Sequence, residues 1–252
     1  NVVGYTTIEP PIFSDHERPG KIIKDFGSDI LTFDKIFYEY TWDKIQGYRN
    51  QTEPDIDFFM ALSKQQLLDI GGFDNKFNPY FYEDRDLIRR LKYLKLNCFT
   101  SLDSIVYHFV SKTSRFSEEA KLKTKQIEQN SNKIYLEKWG SYNSNNRFNV
   151  GFIIENCTDE LLYNISPWAD NTYVDLDVDW EKYPRIKPFD NEKNNDIFVS
   201  FDAHMLDNNQ FEIIKNLQNI LGNTSPREKY EIGIFTIEVI NPINMVERLI
   251  FI

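Results

Sequence analysis

A chain of 252 residues can hold one large domain or two small ones. With 41% hydrophobic and 15% aromatic residues it can build real cores, which excludes an intrinsically disordered chain. A net charge of −10 and a pI near 4.9 exclude a nucleic-acid-binding surface, which needs clustered Lys and Arg, and no apolar run reaches the roughly 18 residues of a membrane span.

In chain order, residues 1–20 read as an extended loop rich in proline (Pro10, Pro11, Pro19) and ending in Gly20. Asp34–Tyr40 has the pattern of a short amphipathic helix, and Asp57–Leu62 that of a short buried strand. Ser63 with Gln66 resembles a capping box that opens a helix through Ile70, and Gly71 and Gly72 stop it. Glu83–Leu94 places Leu87, Leu91 and Leu94 at helical spacing. Ile105–Phe109 follows as a strand, and Glu118–Trp139 as a long polar helix stopped by Gly140.

The polar stretch 141–147 reads as a linker, which makes residues 1–140 the first domain and 148–252 the second. Beyond it come a strand (Phe148–Glu155), a helix (Asp159–Ile165) and two strands (Thr172–Asp177, Ile197–Phe201). A helix (Phe211–Leu221) and a strand (Ile232–Ile240) complete the order β-α-β-β-α-β, that of a ferredoxin-like α+β domain. Met245–Ile252 is expected as a final strand. Cys98 and Cys157 lie far apart without CxxC spacing and read as buried free thiols. They suit a reducing compartment, so the expected location is the cytoplasm, including the cytoplasmic face of the membrane.

The chemistry concentrates in residues 70–91. A helix ends in a glycine pair, an aromatic loop follows, and a second helix opens on Glu83, Asp84 and Asp86. Acids in a first helical turn are favoured by the helix dipole, so capping alone would explain an isolated group. Here Gly71, Gly72, Phe73, Asp74 and Tyr82 converge on the same short loop. Glycines admit a ligand to the backbone, aromatic faces stack on sugar rings, and a carboxylate at a helix start can take a proton.

GGFDNKFNPYFYEDRDLIRRL (residues 71–91) resembles the GGFDE…ED…DL…RL signature of family 2 glycosyltransferases with the GT-A fold. The preceding DFFMALSKQQLLDI, the strand Val106-Tyr-His108 and the helix from Asn132 to Lys138-Trp139-Gly140 are similar to the flanking elements of that family. The resemblance implies an α/β, GT-A-like mixed sheet in the first domain. It also implies an inverting, metal-dependent transfer from a UDP-sugar to a glycan or glycoconjugate, as in polysaccharide biosynthesis. Asp84 would deprotonate the acceptor hydroxyl with Glu83 beside it, while Gly71, Gly72, Phe73, Asp74 and Tyr82 would line the acceptor. His108 would contact Mn²⁺ or Mg²⁺, and Lys112 and Arg115 would face the donor diphosphate.

One departure stands out. The family's nucleotide-binding half with its Asp-x-Asp metal motif is not among these residues and is expected upstream or on another chain. Asp55-Ile-Asp57 matches the motif literally but directly precedes the strand leading to the glycines, and reads as a loop. Asp175, Asp177 and Asp179 alternate as on a solvated strand face, and His16 and His204 read as surface residues. The alternative function is a non-catalytic carbohydrate-binding or scaffold module that kept the acceptor half.

Overall fold

The computed structural model describes residues 1–11, 16–27, 33, 36–109, 118–176, 178, 183–223 and 229–251. The chain divides into two compact units, residues 1–131 with the last residues of the chain, and residues 132–249. Both are mixed α/β.

The first unit is built on a mixed sheet of β1 (Val2–Glu9), β2 (Lys21–Ile23), β3 (Thr52–Pro54), β4 (Met60–Ala61) and β5 (Cys98–Tyr107). The order is β2-β1-β5-β3, with β4 also paired to β1. β1 runs parallel to β2 and β5 and antiparallel to β4. The loop expected over residues 1–20 is therefore corrected: residues 2–9 are the central strand. Val2, Val3, Thr6, Thr7 and Ile8 are β-branched and suit a pleated sheet, and the prolines fall outside the strand. The register puts Val2 opposite Cys98 and Ile8 opposite Tyr107, so the carboxyl ends of β1 and β5 finish side by side.

Around this sheet lie α1 (Ile36–Gly47), α2 (Lys64–Asp69), α3 (Glu83–Tyr93) and α4 (Glu118–Trp139), the last crossing into the second unit. The expected strand over 57–62 is reduced to the two residues of β4, and the expected strand over 105–109 belongs to the longer β5. The start of the helix expected from Asp34 lies outside the described residues. Val2, Ile56, Ile70, Leu87 and Leu91 form a core that joins β1, α2 and α3.

The second unit holds β6 (Val150–Glu155), α5 (Asp159–Ile165), β7 (Asn171–Val174), β8 (Ile186–Pro188) and β9 (Ile197–Asp202). It continues with α6 (Asn208–Asn223), β10 (Lys229–Ile232) and β11 (Phe235–Val239). The sheet order is β10-β11-β9-β6-β7-β8. β6 is parallel to both β7 and β9, and β7 is parallel to β8. A ferredoxin-like sheet would set the second strand antiparallel to its partner, so this expectation is corrected. The apolar runs of β6 and β9 are buried on both faces, as parallel strands are, and α5 supplies the crossover a parallel pair needs. The expected final strand contains instead a helical turn, Glu247–Ile250.

The stretch 141–147 is not an exposed linker. Ser141, Ser144 and Arg147 are buried. Arg147 donates to the carbonyls of Lys138 and Glu137 at the end of α4 and to both carboxylate oxygens of Asp170, which also accepts from the amide of Val150. One guanidinium thus fastens a helix terminus to the start of β6.

Candidate active site

The site starts from a helix stop. Ser63 and Gln66 form the expected capping box at the head of α2. At its tail the Gly72 amide donates to Leu67 and the Gly71 amide to Leu68, the paired bonds of a Schellman motif. Both glycines take positive φ, 79° and 81°, which side chains resist. Among the described residues, a Cβ on Gly72 would meet no atom within 4 Å, so its outer side is open with respect to them.

Arg90 holds this turn. Fully buried on α3, its guanidinium donates to the carbonyls of Ile70 (2.9 Å) and Gly72 (2.6 Å), and its Nε to Asp86 (2.8 Å). Asp86, grouped by sequence with the first-turn acids, is therefore the counter-charge of this clamp. Asp74, expected at the acceptor, is buried and caps a 3-10 turn over Asn75–Phe77 by accepting from the Lys76 amide. Phe73 stays half exposed.

α3 begins beyond the aromatic loop. Phe81 and Tyr82 both adopt left-handed φ, 77° and 67°. Bulky residues resist this conformation by roughly 1–2 kcal/mol each, a kind of strain that clusters at functional sites. Immediately after it stand Glu83 and Asp84, half-buried. Burial pushes both carboxyls above the ordinary range; the charge of Asp84 adds to this at Glu83, and the charge of Asp57 at Asp84. Glu83 Oε2 is buried with no hydrogen-bond partner among the described residues, an acceptor that a ligand hydroxyl could satisfy.

Asp57 is the residue that sequence reasoning dismissed. The loop reading of 55–57 agrees with the structure. Yet Asp57 lies near enough to bear on Asp84 and is itself paired with Arg18 at 2.5 Å. The next residue, Phe58, sets its ring 4.9 Å from the ring of His108. The signal was available in the Asp-x-Asp spelling, and in the structure Asp57 pairs with Arg18 and bears on Asp84.

His108 follows β5, and its amide donates to the carbonyl of Ile8. Its Nδ1 lies 3.1 Å from Glu9 Oε2 at the end of β1, and Lys21 on β2 reaches Glu9 Oε1 at 2.8 Å. Three strand ends thereby join in one hydrogen-bonded row. Burial pushes the Glu9 carboxyl up, but the bonds from Lys21 and His108 outweigh it and hold Glu9 below the ordinary range. Glu9 and Lys21 carried no motif and were missed. His108 and Glu9 offer two donors at one point, and among the described residues no three His, Cys, Asp or Glu side chains converge. These residues do not by themselves make a closed metal site. Lys112 and Arg115, expected at the diphosphate, lie outside the described residues.

Residues 58–115 match the family model for the N-terminal domain of galactosyltransferase. The match starts at Phe58 and takes in β4, α2, the glycine turn, the acid pair, α3, β5 and His108. It covers a minority of the chain and supports glycosyl transfer. The family it names is galactosyltransferase, where the sequence motif resembled family 2 enzymes. No curated protein and no solved structure matches the chain.

Proposed function

We propose that this chain transfers a sugar from a UDP-sugar to a hydroxyl of a glycan or glycoconjugate by a single inverting displacement. The observation that carries the reading is Asp84. It is a half-buried carboxylate held above its ordinary range, placed directly after a strained turn and inside the segment that matches galactosyltransferase. Such a carboxylate is more basic than one in water and better matched to accepting a proton near neutral pH. In the transfer, Asp84 takes the acceptor proton as the acceptor oxygen bonds the anomeric carbon. The bond from that carbon to the diphosphate breaks, and its electron pair leaves with the nucleotide.

The other residues hold the partners. Glu83 Oε2 accepts from a second acceptor hydroxyl, and the open side of Gly72, with Gly71, Phe73 and Tyr82, forms the acceptor wall. Asp74 acts indirectly, by fixing the loop. The row His108–Glu9–Lys21 at the strand ends lies on the donor side, with His108 Nε2 left for the donor by the Nδ1 contact to Glu9. Mn²⁺ or Mg²⁺ belongs in this reading as a companion of the diphosphate, since Mg²⁺ commonly binds through substrate phosphates and only one or two carboxylates. We assign the first unit to the GT-A class and the protein to the cytoplasm, in keeping with the free thiols of Cys98 and Cys157.

Thermal unfolding with and without UDP plus Mn²⁺ tests the donor site. A ligand that binds only the folded chain raises its stability, by about 2.7 kcal/mol at a hundredfold excess over Kd. The wild type is expected to shift and His108→Ala to lose the shift. No shift in the wild type would contradict a donor site in this chain.

A further inference from the structure

The second unit contains a cavity of about 310 Å³, at the small end of the range for small-molecule sites. Its floor is apolar, formed by Leu162 on α5, Ile186 on β8 and Val178. Lys133 from α4, Asp159 at the head of α5, Tyr163 and Tyr183 stand around it. Lys133 Nζ lies 5.8 Å from the centre of the Tyr163 ring and 5.6 Å from that of Tyr183. Both distances fall within reach of a cation–π attraction, so one ammonium links rings carried by different parts of the chain. Tyr163 is nonetheless 56% exposed, while Leu162 and Ile165 of the same helix already supply its share of the core. Apart from the Lys133 contact, much of its ring is open to a ligand.

The lining selects a ligand. A phosphate attracted by Lys133 meets the carboxylate of Asp159, and the Lys133 charge is already shared between two rings and Glu137, 3.9 Å away. A hydrocarbon would strip water from Lys133 and Asp159 without replacing its hydrogen bonds. A pyranose satisfies both demands. Its C–H face lies on a tyrosine ring, its hydroxyls donate to Asp159, and a hydroxyl oxygen accepts from Lys133. We propose that this cavity is a second carbohydrate subsite that takes one pyranose unit of a glycan, with Tyr163 as its platform. The choice of ligand class rests on the glycosyl-transfer reading, whereas the cavity lies wholly in the second unit and uses neither Asp84 nor His108.

The test is methyl NMR on the full chain with labelled Ile, Leu and Val, titrated with methyl β-galactopyranoside and with methyl β-glucopyranoside. Saturable shifts of the Leu162, Val178 and Ile186 methyls are expected with at least one glycoside. Tyr163→Ala removes an exposed side chain and should fold normally while raising Kd about tenfold or more. Tyr163→Phe keeps the ring face and the binding, and Asp84→Asn leaves it unchanged. No shift of these methyls with either glycoside, or an unaltered Kd in Tyr163→Ala, overturns the proposal. Methyl shifts in a chain that shows no glycosyl transfer would support this subsite and count against the transferase reading instead.

Discussion

Arg90 and Asp86 face each other one turn apart on α3, both fully buried, with Nε and Oδ2 2.8 Å apart. The pair does more than neutralise itself, because the rest of the guanidinium carries the carbonyls of Ile70 and Gly72. One side chain thus ties the glycine turn to α3, the helix that carries the acid pair. Arg90→Ala leaves a buried carboxylate and two carbonyls without their donor, and should destabilise the protein by about 3–5 kcal/mol. Urea unfolding of Arg90→Ala measures this; a loss below about 1 kcal/mol would show that the clamp is dispensable.

Asp84 should oppose folding at neutral pH. Its carboxyl is raised in the folded state, so the folded chain holds the proton more tightly than the unfolded chain. Stability on its account is full below its ordinary value of 3.8 and falls as pH rises toward the folded value. Asp84→Asn removes that penalty. Its melting temperature should exceed the wild type's at pH 7, and the gain should vanish near pH 3, as read by calorimetry at both pH values.

Asp57 should set the acid limb of activity. Its negative charge helps hold the Asp84 carboxyl up, after burial. Asp57→Asn should therefore move the acid limb of the pH–rate profile to lower pH, and Arg18→Ala, which strips Asp57 of its partner, to higher pH. Equal profiles for the three proteins would separate Asp57 from the base.

Lys21 should matter for stability above the range where Glu9 protonates. Glu9 is held below its ordinary value of 4.5 by Lys21 and His108 against burial, so the stability it contributes is present above that value and lost as pH falls through its folded value. Lys21→Met should be less stable than the wild type at pH 7 by about 1–2 kcal/mol, discounted for partial exposure of the pair. The deficit should close in acid, where a protonated Glu9 needs no cation. Denaturant titrations at pH 7 and in acid check the trend.

Two glycines with positive φ should answer differently to alanine. At Gly72 the added methyl meets no described residue within 4 Å, so the cost is backbone conformation, about 1 kcal/mol. At Gly140, which ends α4, the methyl would fall 2.8 Å from Nε2 of Gln218. Gln218 is fully buried and bonded to both the amide and the carbonyl of Phe148, so it cannot move aside freely. Gly140→Ala should cost about 2 kcal/mol or more, measured by thermal unfolding of the two variants side by side.

What could be read from residues alone follows how local the signal is. The capping box at Ser63, the glycine stop and the Leu87–Leu91 face of α3 are written within a few positions, and each stands where expected. β1 was hidden because its strength comes from neighbours far along the chain, while Pro10 and Pro11 nearby suggested a loop. The second sheet was misread for a related reason. Strand count and helix order leave pairing direction open, and β8, only three residues with Lys187 and Pro188, carries almost no pattern. In the candidate site, Asp84 and His108 stand out through a motif, whereas Glu9 and Lys21 meet His108 only once the sheet has formed.

The most direct measurement is UDP release from a panel of UDP-sugars with oligosaccharide acceptors, compared between the wild type and Asp84→Asn. If Asp84 is the base, the variant should lose about 10²–10⁴ in rate while unfolding no earlier than the wild type. Near-full turnover by a folded Asp84→Asn protein would contradict the account.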